Sequence, residues 1–140
     1  MPSSSKHETC QEQRLVDWYK VTYAHLFHAG LYKEANIVTN IFSNVLECDD
    51  ADLCEVIESD QDLWNKMAMR CRNKAASDNV WYAADYMADT AACLFEFGRK
   101  KEGGEFCEWA EQLRDFAIQL LEQEEKEKER ERWLRTYYVR

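Results

Sequence analysis

The chain has 140 residues, a net charge of −9, 46% hydrophobic and 13% aromatic residues, one proline and four glycines. That is enough for one domain with a real core, and the composition is that of a folded helical protein, neither disordered nor built of sheet and turns. The charge disfavours a general grip on nucleic acid. No apolar run approaches the roughly 18 residues of a membrane span.

Residues 1–14, polar and without the apolar stretch of a signal peptide, read as a flexible arm. Helical periodicity begins at Leu15 and continues through Trp18, Tyr19, Thr22, Tyr23, Leu26 and Phe27, with Gly30 as the stop. Leu31, Ala35, Val38, Ile41, Phe42 and Val45 mark a second helix. Glu47–Asp62 carries eight acids and no base, and should hold an acidic loop and a short helix around Leu53, Val56 and Ile57. Asp60 is placed to cap a fourth helix striped by Trp64, Met67, Ala68, Cys71 and Ala75, with Lys66, Arg70, Arg72 and Lys74 on its outer side. Those cations are expected to pair with the acidic stretch before them. Ser77-Asp78-Asn79 reads as a turn, then a fifth helix runs from about Val80 to Phe97, stopped by Gly98. Phe106, Trp109, Ala110, Leu113, Phe116, Ala117, Leu120 and Leu121 define a sixth helix, continued by the Glu/Lys/Arg stretch 122–132. That stretch has acid-first i,i+4 pairs but nothing to bury. The chain ends on Trp133, Leu134, Tyr137, Tyr138 and Val139, an apolar tip expected to contact another chain. The domain proper is thus 15–121, with a charged helical extension at 122–140.

One segment recurs. Thr22-x-Ala24-x-Leu26-Phe27-x-x-Gly30-x-x-Lys33-Glu34 returns 68 residues later as Thr90-x-Ala92-x-Leu94-Phe95-x-x-Gly98-x-x-Lys101-Glu102, and Asp17 and Asp85 extend the match. The offset is twice the period of a 34-residue helix pair. Gly30-Leu31-Tyr32-Lys33-Glu34-Ala35 resembles the inter-helix turn of a tetratricopeptide repeat, and Ala91, Gly103 and Ala110 supply small residues where that family packs helices closely. The resemblance covers about 17–50 and 85–118, while the middle unit keeps only Ala76 of the pattern. It implies an all-α fold, either a short helix-pair solenoid or a compact bundle of about six helices. It also implies a peptide-binding groove on the first helix of each pair. Asp17, Lys20, Ala24, Phe27 and His28 are the groove positions of the first unit, and Asp85, Ala88, Ala92, Phe95 and Glu96 those of the last. Of the basic clamp of chaperone-binding members, only Lys20 matches.

Motifs for chemistry are sparse. No Gly-rich phosphate loop, nucleophile elbow or H-E-x-x-H occurs, and the six cysteines contain no C-x-x-C. No enzyme activity and no cofactor are expected. His25-x-x-His28, with His7 and Cys10 on the arm, is a candidate metal set. Leu46-Glu47-Cys48-Asp49-Asp50 resembles the L-x-C-x-E peptide with which viral proteins engage the retinoblastoma pocket, with Asp in place of the last Glu. The expectation is a cytoplasmic or nuclear adaptor that binds a protein partner through Asp17, Lys20, Phe27, His28, Asp85, Phe95, Trp133 and Tyr137. The alternatives are a viral-type regulatory protein that captures a host factor or forms a homodimer through its tail, and RNA binding through the basic helix 64–76.

Overall fold

The computed structural model describes the backbone of residues 6–138 and the side chains of 13–137. Six helices follow one another: α1 (Lys6–His28), α2 (Tyr32–Leu46), α3 (Asp50–Ser59), α4 (Gln61–Arg72), α5 (Ala76–Glu96) and α6 (Lys100–Tyr138). The protein is an all-α helical bundle, and no strand occurs among the described residues. α1 starts at Lys6, inside the stretch that the polar composition marks as an arm. Ser77–Asn79 lies in the first turn of α5, so the predicted turn falls four residues earlier, at Asn73–Ala75.

The two glycines end their helices in the same way. Gly30 and Gly98 have φ of 83° and 79°, the left-handed region that only glycine enters without strain. At the first, the Leu31 N–H donates to the Leu26 carbonyl and the Gly30 N–H to that of Phe27. At the second, Arg99 donates to Leu94 and Gly98 to Phe95. Both are Schellman closures, which satisfy carbonyls left over at a helix end. The likeness extends inward: the Thr22 hydroxyl donates to the Trp18 carbonyl at 2.7 Å, and that of Thr90 to Tyr86 at 2.7 Å. Asp60 caps α4 as expected, accepting from the Leu63 N–H at 3.3 Å.

The hairpins α1–α2 and α5–α6 pack into one core. Tyr19 meets Phe42 at 5.4 Å between ring centres, and Phe42 meets Phe106 edge-on at 5.1 Å. Leu26, Val38, Val80, Met87 and Leu94 fill the remainder. The buried Tyr19 hydroxyl finds Thr39 at 2.9 Å, which removes the cost of an unpaired polar group. Burial raises the Tyr19 phenol well above its ordinary value.

α1 and α5 run antiparallel, since His25 near the end of α1 meets Asn79 in the first turn of α5. At the opposite ends, Arg99 before α6 donates to the Val45 carbonyl near the end of α2 at 2.8 Å. His25 of α1 stacks on Tyr82 of α5 at 5.4 Å. Burial raises the Cys93 thiol, and the charge of Arg14 acts in the opposite sense.

Candidate functional site

The matching sequence positions of the two hairpins lie on their outer faces, and among the described residues the first of these faces is covered and the second is not. On the first, α3 and α4 lie across α1. Lys20 Nζ donates to Asp60 Oδ2 at 3.0 Å, and this hydrogen bond, followed by that from Leu63, holds the Asp60 carboxyl below the usual range. Ala24 is buried against Met67 and Cys71. Trp64 packs with its ring tilted at 5.3 Å from Phe27, 4.5 Å from His28 and 6.0 Å from Tyr23. The groove positions Lys20, Ala24, Phe27 and His28 are therefore the seat of the chain's own fourth helix. Asp17 stays exposed, accepting from the Gln13 amide at 2.9 Å.

Sixty-eight residues on, the matching face lies open. Ala88 and Ala92 stand where Lys20 and Ala24 stand, Ala88 half-buried and Ala92 exposed. Phe95, the counterpart of Phe27, is 44% exposed and rests against Gly103, whose missing Cβ would come within 3.1 Å of its ring. Asp85 pairs with Arg114 at 3.6 Å across the α5–α6 seam. Beyond that pair a cavity of about 340 Å³ opens between Ser77, Asp78, Trp81, Ala117, Ile118 and Leu121. The apolar seam therefore runs from Phe95 and Gly103 to Trp81 and Leu121. Trp81 and Ile118 carry no counterpart in the repeat, and the one signal that marks Trp81 is its place one turn before Asp85 on the 81, 85, 88, 92, 95 stripe. Leu121, which the amphipathic pattern assigns to the core, is 47% exposed. Ala117 takes the inward place.

α6 leaves the body as one continuous helix. Among the described residues its last hydrogen bonds to α5 are those of Glu124, whose carboxylate accepts from the Ser77 N–H at 3.1 Å and from the Ser77 hydroxyl. From Glu125 to Tyr137 every side chain is exposed except the half-buried Leu134. Trp133 and Tyr137 stack on each other at 5.1 Å and are 61% and 64% exposed.

A second recess, of about 190 Å³, is lined by His25, Arg70, Lys74, Tyr82 and Tyr86. Asn79 Nδ2 donates to the Cys71 carbonyl at 3.2 Å, which turns Oδ1 toward His25 Nδ1 at 3.1 Å and makes that nitrogen the protonated one. Burial lowers the affinity of His25 for a second proton. Lys74 sits over the Tyr82 ring at 4.8 Å. Among the described residues none of Lys66, Arg70, Arg72 and Lys74 forms an ion pair, and it is Lys20 of α1 that meets the acidic stretch. The expected pairing of Lys66, Arg70, Arg72 and Lys74 with residues 47–62 is corrected accordingly: of the four, Lys66 acts on Asp60, through its charge and not as an ion pair.

His25 and His28 face different surroundings, one the Asn79 amide and the other the Trp64 ring, and no cluster of three metal-ligating side chains occurs among the described residues. His7 and Cys10 lie outside the described side chains. Among the described residues, the buried His28 Nε2 has no hydrogen-bond partner. The Leu46–Asp50 segment is a tight helix–helix turn: Glu47 takes a left-handed φ of 55°, Cys48 N–H donates to the Ser43 carbonyl at 3.1 Å, and Asp49 and Asp52 form a capping box.

Among the described residues the protein is an all-α bundle of six helices in which one hairpin face is covered by α3 and α4 and the matching positions of the other are largely exposed. No protein-family model, curated protein or solved structure matches the chain. Among the described residues no helix is long and apolar enough to cross a membrane.

Proposed function

We propose that this chain is a non-enzymatic protein-interaction module, cytoplasmic or nuclear, that receives an amphipathic helix of a partner along the outer seam of α5 and α6. The observation that carries the reading is internal. The equivalent face of α1 receives a helix already, α4, through Trp64, Met67 and Asp60. The face at the matching sequence positions, floored by Ala88 and Ala92 and walled by Trp81 and Phe95, suits helix-in-groove recognition. The tetratricopeptide resemblance enters as the helix–turn–helix unit, and the groove positions it implies are usable on the second hairpin: Asp85, Ala88, Ala92, Phe95 and Glu96. Comparative co-purification tests this. Proteins retained by the native chain should be lost with Ala92→Glu and kept with Lys66→Glu on the far side. Retention unchanged by a folded Ala92→Glu variant refutes the seam as the binding surface.

A second reading rests on the unpaired α4 cations, beside which α5 places Tyr82 and Tyr86. Rings next to lysine and arginine are the elements of single-strand RNA contact. Its test is anisotropy of a labelled RNA at low and high salt. Binding should weaken steeply with salt and with Arg70→Ala, and the absence of binding at low salt excludes it.

A further inference from the structure

The occupant of the open seam can be read from charge and reach. The seam is rimmed by acids: Asp78 and Glu96 on α5, Glu111 and Glu125 on α6, all exposed. Inside it Arg114 is paired with Asp85. Such a rim repels a second seam of the same kind, which disfavours face-to-face pairing of two copies. It attracts a basic helix that carries aromatic side chains.

The chain contains such a helix. In an acidic protein, residues 130–140 hold four arginines against one glutamate, interleaved with Trp133, Leu134, Tyr137 and Tyr138. Arg130, Arg132 and Arg135 are exposed around the stacked Trp133 and Tyr137. Trp, Tyr and Arg are the residue types that most often dominate binding energy at interfaces. An exposed aromatic pair at the end of a projecting helix is also costly to leave in water. The tip cannot serve its own seam. α6 is unbroken to Tyr138, and the 13 residues after Glu124 carry the tip about 20 Å away from the last contact with α5. The tip lies about 20 Å beyond the end of the seam on one unbroken helix, so the two meet only between molecules.

We infer that the α5–α6 seam of one copy receives the basic aromatic tip of α6 from a second copy. The inference rests on the proposed role of the seam and names its partner. Reciprocal exchange, each tip in the other's seam, doubles the buried surface and closes the pair, whereas one-way insertion would leave a free seam and a free tip and continue into a chain of copies. The pair closes by reciprocal exchange. Aromatic rings against Trp81 and Phe95 supply the apolar part, and arginines against the acidic rim supply orientation and salt dependence.

The experiment is sedimentation equilibrium or light scattering on the full chain over a wide concentration range, at low and high salt. The mass should rise from 16.6 kDa to twice that value, less readily in high salt. The double variant Trp133→Ala, Tyr137→Ala should remain at the monomer mass, and so should Ala92→Glu. All three positions are exposed, so the fold survives, as circular dichroism would verify. Location is tested by charge exchange. Arg132→Glu with Arg135→Glu, and separately Glu96→Lys with Glu111→Lys, should each be monomeric, while an equimolar mixture of the two should regain the mass of a pair. A native chain that stays monomeric at every concentration overturns the inference. So does association that is abolished by the tip variant but untouched by Ala92→Glu, because the tips would then pair with each other. If the full chain is monomeric while Ala92→Glu still abolishes partner retention, the seam is a partner site and only this inference falls. If Ala92→Glu abolishes association and leaves partner retention unchanged, the inference stands and the reading of the seam as a partner site falls.

Discussion

Phe27 and Phe95 occupy the same place in the repeat, and their truncation to alanine should have different consequences. Phe27 is half-buried, with Tyr23 at 5.7 Å, Tyr32 at 4.8 Å, Trp64 at 5.3 Å and His28 at 5.7 Å between ring centres. Removing a phenyl ring from a closed site costs about 3–5 kcal/mol. The partial exposure of Phe27 lowers that, and the loss of several ring–ring contacts, each roughly 0.5–1.5 kcal/mol, raises it again. About 3 kcal/mol is expected. Phe95 is 44% exposed and rests on Gly103. Full burial of such a side chain contributes roughly 1.5–3 kcal/mol, so a little over half of it gives about 1–1.5 kcal/mol. The gain in helix propensity from alanine is the same at both sites and cancels in the difference. Urea denaturation of the two single variants should therefore separate them by about 2 kcal/mol, with m unchanged. Equal losses would mean that Phe95 is as enclosed as Phe27, and the open seam would not exist.

Glu124→Ala should cost about 1–2 kcal/mol, because it strips both hydrogen bonds from Ser77 in the first turn of α5. A chain ended after Gln123 would lose the same cap, so the role of the tail is better tested by substitution than by truncation. Gly104→Ala should stabilise by about 0.5–1 kcal/mol, since the position is helical and nothing lies within 4 Å of an added Cβ. Thermal melts would check it, and a destabilised variant would refute the open space assigned there. Stability should also fall with acidification in the histidine range. Burial, the larger cause at both sites, lowers His25 and His28 below the ordinary 6.5. The unfolded chain therefore takes up protons first: stability is full above about pH 6.5 and is lost as pH drops from there through the lowered folded values. Urea midpoints at about pH 7.5 and about pH 5.5 should differ, and His28→Gln should reduce the difference. Midpoints that coincide would show that neither imidazole is kept from protonating.

Local chemistry was legible in the order of residues, and its reasons are short-range. Glycine alone accepts the left-handed geometry that ends α1 and α5, so Gly30 and Gly98 mark both turns, and the matched letters around them return as matched hydrogen bonds. Asp60 announces α4 because a carboxylate three residues before an N–H is the geometry of a cap. The helical period of Phe106, Ala110, Leu113 and Ala117 likewise names the buried stripe of α6. Tertiary structure decided what these elements meet. Nothing in the run Asp17–His28 reveals that Asp60, Trp64 and Met67 will lie upon it, because that docking joins residues some forty positions apart and depends on how short α3 turns the chain back. The antiparallel setting of α1 against α5 rests on His25 meeting Asn79, a contact with no signature in either segment. Two copies of one motif therefore have different fates, Phe27 beneath Trp64 and Phe95 facing solvent. The residues of the repeat determine the shape of each hairpin, but the cover over its outer face comes from whatever other part of the chain can reach it.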